Sequence, residues 1–149
     1  MFAACSLFGG DDGPVDMTPE KLRSAPQSVT IEGRELALRT YMWRDFMPIS
    51  PPGGHPLIAV FWIYSVDSTA LPTGLTADAA WVVNGDRVWD TFFESEGTPQ
   101  PKPYELERIA RDGPNWGPHI EVDAVVRIRE SDGTTHLLRA ASQSIHRTD

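Results

Sequence analysis

After Gln27 the chain alternates short apolar runs with turn residues, and it contains no long stretch with apolar residues at the helical period. Period-2 alternation bounded by Gly, Pro, Asn and Asp is typical of β-strands. The first run is "SVTIEGRELALRTYMW", with a turn signal at Glu32 and Gly33 and apolar alternation through Leu36 and Leu38. This run predicts two strands or one bent strand.

The middle of the chain combines a proline-rich segment with the longest apolar run. Residues 47–56, "MPISPPGGHP", contain four prolines, which cannot donate to a strand ladder, so we expect a long connection. The next run, "LIAVFWIYSV", is apolar on both faces. It predicts a central strand covered on both sides, or one with the core on one side and an aromatic platform on the other. The segment "YELERIARDG" fits a short helix or a strand equally well.

The segment "AAWVVNGDRVWDTFF" predicts a β-hairpin with a type I′ turn at Asn84–Gly85, because both residues readily adopt positive φ. Counting outward from this turn places Trp81 opposite Val88 and places Ala80 opposite Trp89. The same count puts Trp81 and Trp89 on opposite faces of the hairpin.

A second hairpin is predicted for "HIEVDAVVRIRESDGTTHLLRAASQSIH", centred on Asp132 and Gly133. Alternation along its first arm separates an apolar core face from a polar face. The predicted core face carries Ile120, Val122, Ala124, Val126 and Ile128. The predicted polar face carries His119, Glu121, Asp123, Arg127 and Arg129.

Regularly spaced short strands, turn signals and aromatic residues inside central runs indicate an all-β protein. The pattern favours an immunoglobulin-like β-sandwich of about seven strands, without the disulfide of antibody domains. An up-and-down β-barrel is the second interpretation. We expect residues 1–27 to form a flexible N-terminal tether and residues 28–149 to form the sandwich domain.

Charge narrows the range of partners. The formal net charge is −8, the isoelectric point is near 4.9, and no cluster of Lys and Arg is present, which argues against nucleic acid as a partner. No stretch approaches the roughly 20 apolar residues that a transmembrane helix needs. The composition therefore indicates a folded protein body outside the bilayer.

The only cysteine, Cys5, ends the sequence "FAAC". This sequence resembles the lipobox of bacterial lipoproteins, an apolar residue and two small residues before the cysteine that carries lipid, with Phe2 in place of the usual Leu. The resemblance implies a signal peptide upstream of Met1 and a diacylglyceryl thioether on Cys5. Acyl chains of this kind anchor a protein stably at a membrane.

The segment after Cys5 is rich in Gly, Asp, Pro and Ser, as flexible linkers are. The resemblance thus implies a domain held at the cell envelope, on the outer membrane or cell surface, with the periplasmic side as a further location. Ser6, rather than Asp, is the residue after the cysteine, and it gives no signal for retention at the inner membrane.

Catalytic motifs are absent from the sequence. It contains no "GxSxG" nucleophile elbow and no glycine-rich phosphate loop, so we predict no enzyme activity and no cofactor. One weak metal-site hypothesis rests on the second hairpin, where a two-residue turn would place His146 opposite His119 and Ser144 opposite Glu121. Two imidazoles and a carboxylate suit Zn²⁺. His55 lies in a Pro/Gly loop, where functional residues concentrate, although a solvated loop histidine is the simpler interpretation.

Binding is the function class that the sequence favours, because five tryptophans exceed what one small β-domain core usually needs. Trp116, between Gly and Pro residues, is the best candidate for an exposed ligand-stacking ring, and Trp89 is the second. The first hypothesis is a non-enzymatic envelope lipoprotein that presents a protein-binding or structural surface. The alternatives are a carbohydrate-binding module that uses exposed tryptophan and, third, a metal-dependent subunit of an envelope enzyme.

Overall fold

The computed structural model describes residues 17–49, 51–93 and 102–149. The lipobox-like sequence, Cys5 and most of the predicted tether lie outside these ranges, as does most of the proline-rich segment 94–103. Among the described residues, no helix has the length and hydropathy needed to cross a membrane.

The described part of the chain forms one short helix and eight strands, in agreement with the all-β prediction. Helix α1 spans Pro19–Arg23, and Thr18 caps its N-terminus by accepting a hydrogen bond from the backbone N–H of Lys21. The strands are β1 (Ser28–Ile31), β2 (Arg34–Asp45), β3 (Ile58–Ser65), β4 (Thr76–Asn84), β5 (Arg87–Phe92), β6 (Glu105–Ala110), β7 (Glu121–Arg129) and β8 (Thr135–Thr148).

All eight strands belong to one strongly curled mixed sheet, a half-barrel with the order β5-β4-β7-β8-β2-β3-β6, with β1 paired to β2. The immunoglobulin-like sandwich is therefore wrong. The physical reason is the length of β8, which pairs antiparallel with β7 through its first part and parallel with β2 from Ile145 to Thr148. Its backbone hydrogen bonds join what would otherwise be two separate sheets.

The up-and-down barrel is also wrong, because β2 and β8 are parallel neighbours. The curl instead brings edge strand β6 close to β4, where Arg108 donates from Nε to the carbonyl of Ala77 over 3.3 Å. The guanidinium of Arg108 is buried, and burial lowers its pKa. A hydrogen-bonded charge thus links the two sides of the curl where no strand ladder does.

The concave face of the sheet holds the main hydrophobic core, whose largest fully buried side chain is Phe61. Phe93 packs edge-on against Phe61, with 5.8 Å between ring centroids. The predicted core face of β7 is confirmed, since its four strand residues are buried in this cluster and Ile120 packs against it. These strand residues are Val122, Ala124, Val126 and Ile128.

A second, smaller core lies on the outer face of the sheet, beneath α1. Leu22 and Ala25 pack there with Trp81, Val83 and Val125. Arg139 fixes the end of the α1 segment, donating from its backbone N–H to Pro26 over 2.8 Å and from Nε to Ala25 over 3.0 Å. Residues 17–27, assigned above to the tether segment, thus include side chains that are buried against β4 and β7.

The rest of the outer face of β4 and β7 is covered by ion pairs. Asp78 accepts a bidentate pair of hydrogen bonds from Arg127, at 2.9 and 3.1 Å, and a third from Arg129 at 3.0 Å. Burial by itself raises the pKa of Asp78, but the hydrogen bonds and charges of the two arginines outweigh it and lower the pKa overall. This half of the outer face is closed by α1 and by charged side chains.

The first hairpin is confirmed with a correction to its register. Its loop is Gly85–Asp86, so that Val83 pairs with Val88 and Val82 pairs with Trp89. Of the two loop residues only Gly85 has positive φ, as in a type II′ turn rather than the expected type I′. The turn lies one residue later than predicted, so each residue of β4 pairs with a residue two positions further along β5 than expected. A shift of two positions leaves every side chain on its predicted face. Trp81 and Trp89 therefore lie on opposite sides of the sheet, as predicted.

The second hairpin contains an irregularity that the sequence analysis did not predict. Pairing shifts between Val122 and Ala124, where the partner strand bulges at Ser142, whose φ is 56°. The carboxylate of Asp123 accepts the backbone N–H of Ser142 over 3.0 Å and holds the bulge. The turn holds three residues, 131–133, and not the two residues that the prediction assumed. The extra residue of the bulge cancels this difference, so Glu121 pairs with Ser144 as predicted.

The strands also show the outcome for the three remaining segments, which are residues 28–45, residues 47–56 and "YELERIARDG". The run from 28 to 45 forms two strands with a turn at Glu32 and Gly33. The described residues of 47–56 form a connection, as expected, and "YELERIARDG" proves to contain strand β6.

Replacement of Leu22 tests whether the α1 segment belongs to the folded unit. Leu22 is 0% exposed, so Leu22→Ala leaves a cavity between α1 and the sheet, and we expect it to lower the free energy of unfolding by about 2–3 kcal/mol. Urea denaturation followed by tryptophan fluorescence measures the change. Exposed Lys21→Ala is the control, and equal stability of the two variants would show that α1 does not contribute.

Candidate binding site on the outer face

The other half of the outer face, over β8, β2, β3 and β6, is rich in aromatic side chains. Alternation along β2 buries Leu38 and Met42 in the core and places Arg39, Tyr41 and Trp43 on the opposite face. The register of β3 and β8 adds Trp62, Tyr64 and His146 to the same face. We define the outer aromatic face by its rings, which are Tyr41, Trp43, Trp62, Tyr64 and His146.

These rings contact one another or a cation. Tyr41, which is 41% exposed, stacks on His146 with 4.9 Å between centroids and lies 5.4 Å from Trp43. The guanidinium of Arg39 lies over Trp62 at 4.6 Å and over Tyr64 at 5.5 Å, which are cation–π distances. The rings form a row along the outer aromatic face. One end of this row is covered by Arg39, and the other end, near Trp43, is more open.

Glu105 fixes the position of Arg39 over the covered end. Its carboxylate lies 2.7 Å from Nη2 of Arg39 and 3.7 Å from Nζ of Lys102. Glu105 comes from β6 and Arg39 from β2, so the ion pair spans the intervening strand β3 and the rings it carries.

At the open end lies a pocket of about 250 Å³. Its walls come from the end of β2, the start of β3, the loop between them and the residues that follow β6. The residues that line it are Trp43, Asp45, His55, Pro56, Ile58, Arg111 and Asp112.

Backbone hydrogen bonds hold the walls of this pocket in place. The N–H of His55 donates to the carbonyl of Asp45 over 2.9 Å, which fixes the proline-rich loop to the end of β2. The N–H of Gly113 donates to the carbonyl of Leu57 over 3.0 Å, which fixes the Arg111–Asp112 wall. Asp112 has a φ of 63°, a left-handed conformation that Asp and Asn tolerate best after glycine.

Arg44 supports the pocket from the other face of the sheet. It is 4% exposed, and its guanidinium donates to the carbonyls of His55 at 3.0 Å, Gly117 at 2.9 Å and Gly53. Burial lowers its pKa. The ring of Phe46 lies against this guanidinium at 4.8 Å. One side chain thus ties two loops to the strand that carries Trp43.

The arrangement combines the two features by which proteins hold polyhydroxylated ligands. Aromatic rings offer apolar surface to the C–H groups of a ligand, and carboxylate and guanidinium groups form directed hydrogen bonds. The pocket contains one indole, two aspartates and one arginine. A lining of this kind could accept a small polar molecule that also has an apolar face.

The prediction that Trp116 is exposed is wrong. Trp116 is 8% exposed and belongs to the main core, because the loop that carries it packs onto the sheet. Two contacts show this packing: a Cβ on Gly113 would lie within 2.9 Å of the ring of Trp89, and one on Gly117 would lie 3.1 Å from Ile145. Trp89 is half-buried against the same core.

The weak metal candidates His119, Glu121 and His146 form no cluster of metal-ligand type. Within the ranges that the structure describes, no group of three or more His, Cys, Asp or Glu side chains is placed to hold a metal ion. His146 instead stacks on Tyr41, and His119 precedes β7 with a φ of 68°. The lipidation candidate, Cys5, lies outside the described residues.

Several residues of the candidate site were not singled out from the sequence. The alternation that assigns Leu36 and Leu38 to the core also assigns Arg39, Tyr41 and Trp43 to the other face, and this was the available signal. For β3, the interpretation as a strand with an aromatic platform is the one that the structure confirms. Asp45, Arg111 and Asp112 carried no local signal, because distant segments bring them together.

Comparison of the chain with protein-family models, curated proteins and solved structures finds no match.

Replacement of Arg44 tests its support of the pocket walls. Arg44→Lys keeps the charge, but the compact ammonium group lacks the planar fork of donors with which the guanidinium contacts three carbonyls. We therefore expect the free energy of unfolding to fall by about 3 kcal/mol. Arg147→Lys, at an exposed guanidinium that lies over the same Phe46 ring, is the matched control and changes stability by less than about 0.5 kcal/mol. Urea denaturation compares the two, and equal losses would contradict a special role for Arg44.

Proposed function

We propose that this chain is a non-enzymatic binding protein of the bacterial cell envelope, anchored through Cys5, that holds a carbohydrate on its outer aromatic face. The observation that carries the proposal is the uneven cover of the outer face. Over β4 and β7 that face is packed beneath α1 and ion pairs, whereas over β2 and β3 it presents aromatic rings, with Tyr41 exposed.

Stacking on aromatic rings supports a carbohydrate ligand. A sugar ring has an apolar C–H face that packs on a π-system, while its hydroxyls require directed polar partners. The open end of the aromatic row combines both, since Tyr41 and Trp43 lie beside the polar pocket.

A protein ligand is the second candidate, favoured by one observation. Ile109 is 41% exposed on β6, on the same face as the rings and next to Val60, which is buried. An exposed aliphatic side chain beside aromatic rings suits a protein partner better than a sugar. A photo-crosslinking residue at position 109 that captures a single envelope protein, together with a glycan array without binding, would favour this candidate.

The carbohydrate proposal predicts that an array of bacterial glycans contains ligands and that Tyr41→Ala weakens their binding roughly threefold to tenfold, the effect of losing about 0.5–1.5 kcal/mol of ring stacking. Phe92→Ala is the matched control, because Phe92 is an exposed ring on β5, remote in sheet order from β2. Equal weakening by the two substitutions, or no binding by the unaltered chain, would contradict the proposal.

The anchor is tested in the cells that produce the protein. Lipid on Cys5 would carry the protein into the detergent-rich phase of a detergent partition, and Cys5→Ser would move it to the aqueous phase. Ser6→Ala is the control that leaves the cysteine intact. Aqueous partition of the unaltered protein would disprove the anchor and leave the binding proposal to be judged by the array.

A further inference from the structure

We propose that the pocket beside Trp43 binds a single neutral sugar ring, an inference that rests on the proposed carbohydrate function. The size of the pocket is the first argument. At about 250 Å³ it lies below the roughly 300 Å³ at which pockets for drug-sized ligands begin. One ring of a longer saccharide fits there, and the rest of the saccharide lies along the outer aromatic face.

The apolar part of the lining matches the C–H face of a sugar ring. Trp43 and Ile58 are direct partners across the β2–β3 ladder, and Pro56 precedes Ile58 in the connecting loop. Together they provide one indole and two aliphatic side chains. Such a wall packs against carbon-bound hydrogens, and its one polar side-chain group is the indole N–H of Trp43.

The polar part of the lining suits hydroxyl groups. The carboxylates of Asp45 and Asp112 accept hydrogen bonds, and the guanidinium of Arg111 donates them, so that hydroxyls find both kinds of partner. Hydrogen bonds with charged partners are stronger than those between neutral groups.

Charge selects among ligands that could use these groups. The two carboxylates of the lining outnumber its one guanidinium, which disfavours phosphate, sulfate and uronic acids. A quaternary ammonium ion carries no hydrogen-bond acceptor, so it would leave the guanidinium donors of Arg111 without a partner in the ligand. A neutral ring that carries both donors and acceptors is the remaining class that the lining satisfies.

The backbone of the pocket walls is rigid, which favours the binding of a small ligand that makes few contacts. Asp45, His55 and Leu57 are fixed through their backbones by hydrogen bonds of 2.9–3.0 Å, and Arg44 holds the carbonyls behind them. Because the backbone of the walls needs no ordering on binding, only the side chains lose conformational entropy there.

The experiment is an NMR titration of the whole chain with four probes: a panel of neutral hexoses and N-acetylhexosamines, their oligosaccharides, glucuronate and tetramethylammonium. The indole N–H resonance of Trp43, assigned from Trp43→Phe, reports on the pocket. We expect neutral monosaccharides to shift it at millimolar concentration. Asp112→Asn preserves the left-handed backbone and should weaken this binding roughly fivefold to tenfold.

Controls separate the pocket from the remainder of the face. Asp90→Asn, at an exposed aspartate on β5, should leave affinity within twofold. Tyr41→Ala, at the exposed ring outside the pocket, should weaken oligosaccharide binding and leave monosaccharide binding unchanged. Thermal unfolding confirms that each variant is folded.

Three outcomes overturn the inference, and they are distinguishable from one another. Oligosaccharide binding that depends on Tyr41 while the Trp43 resonance stays fixed and Asp112→Asn has no effect would overturn the pocket assignment and leave the proposed function standing. Tighter binding of glucuronate or tetramethylammonium than of any neutral hexose would overturn the neutral-ring assignment. Failure of every saccharide to shift any resonance would overturn both proposals.

Discussion

The whole architecture depends on the backbone hydrogen bonds of one strand, β8. Its first part pairs antiparallel with β7 and its last four residues pair parallel with β2, so that one ladder continues from the first hairpin to β6. The bulge at Ser142 lies two residues before the end of the antiparallel part, and Asp123 holds it. Bulges bend a strand and increase its twist, which is what allows the sheet to curl around a single core.

Curling gives the sheet one buried concave face and one outer face that the chain covers unevenly. Leu22 and the Asp78 ion pairs close one half, whereas aromatic rings occupy the other. The pocket lies at the ends of β2 and β6, where strands stop and loops begin. Loops held by a rigid sheet commonly carry binding residues, and here backbone hydrogen bonds and Arg44 provide that rigidity.

Local patterns predicted local structure well. Alternation of apolar and polar residues identified the core face of β7. The Gly85 signal located the first hairpin, although the turn was placed one residue too early. The strand faces were still predicted correctly, because they repeat every two residues. The curled sheet could not be predicted, since the parallel pairing of β2 with β8 joins segments about a hundred residues apart. The pocket depends on another long-range pairing, that of β3 with β6, which places Arg111 and Asp112 beside the end of β2. Trp116 was wrongly predicted to be exposed because its Gly and Pro neighbours allow close packing as readily as exposure.

The buried guanidinium of Arg44 has one consequence for how the pocket responds to its surroundings. Arginine keeps its proton throughout the pH range that proteins encounter, and its acceptors here are backbone carbonyls, which do not titrate. The hydrogen bonds that tie the two loops to β2 behind the pocket therefore contain no group that gains or loses a proton between acidic and alkaline solution.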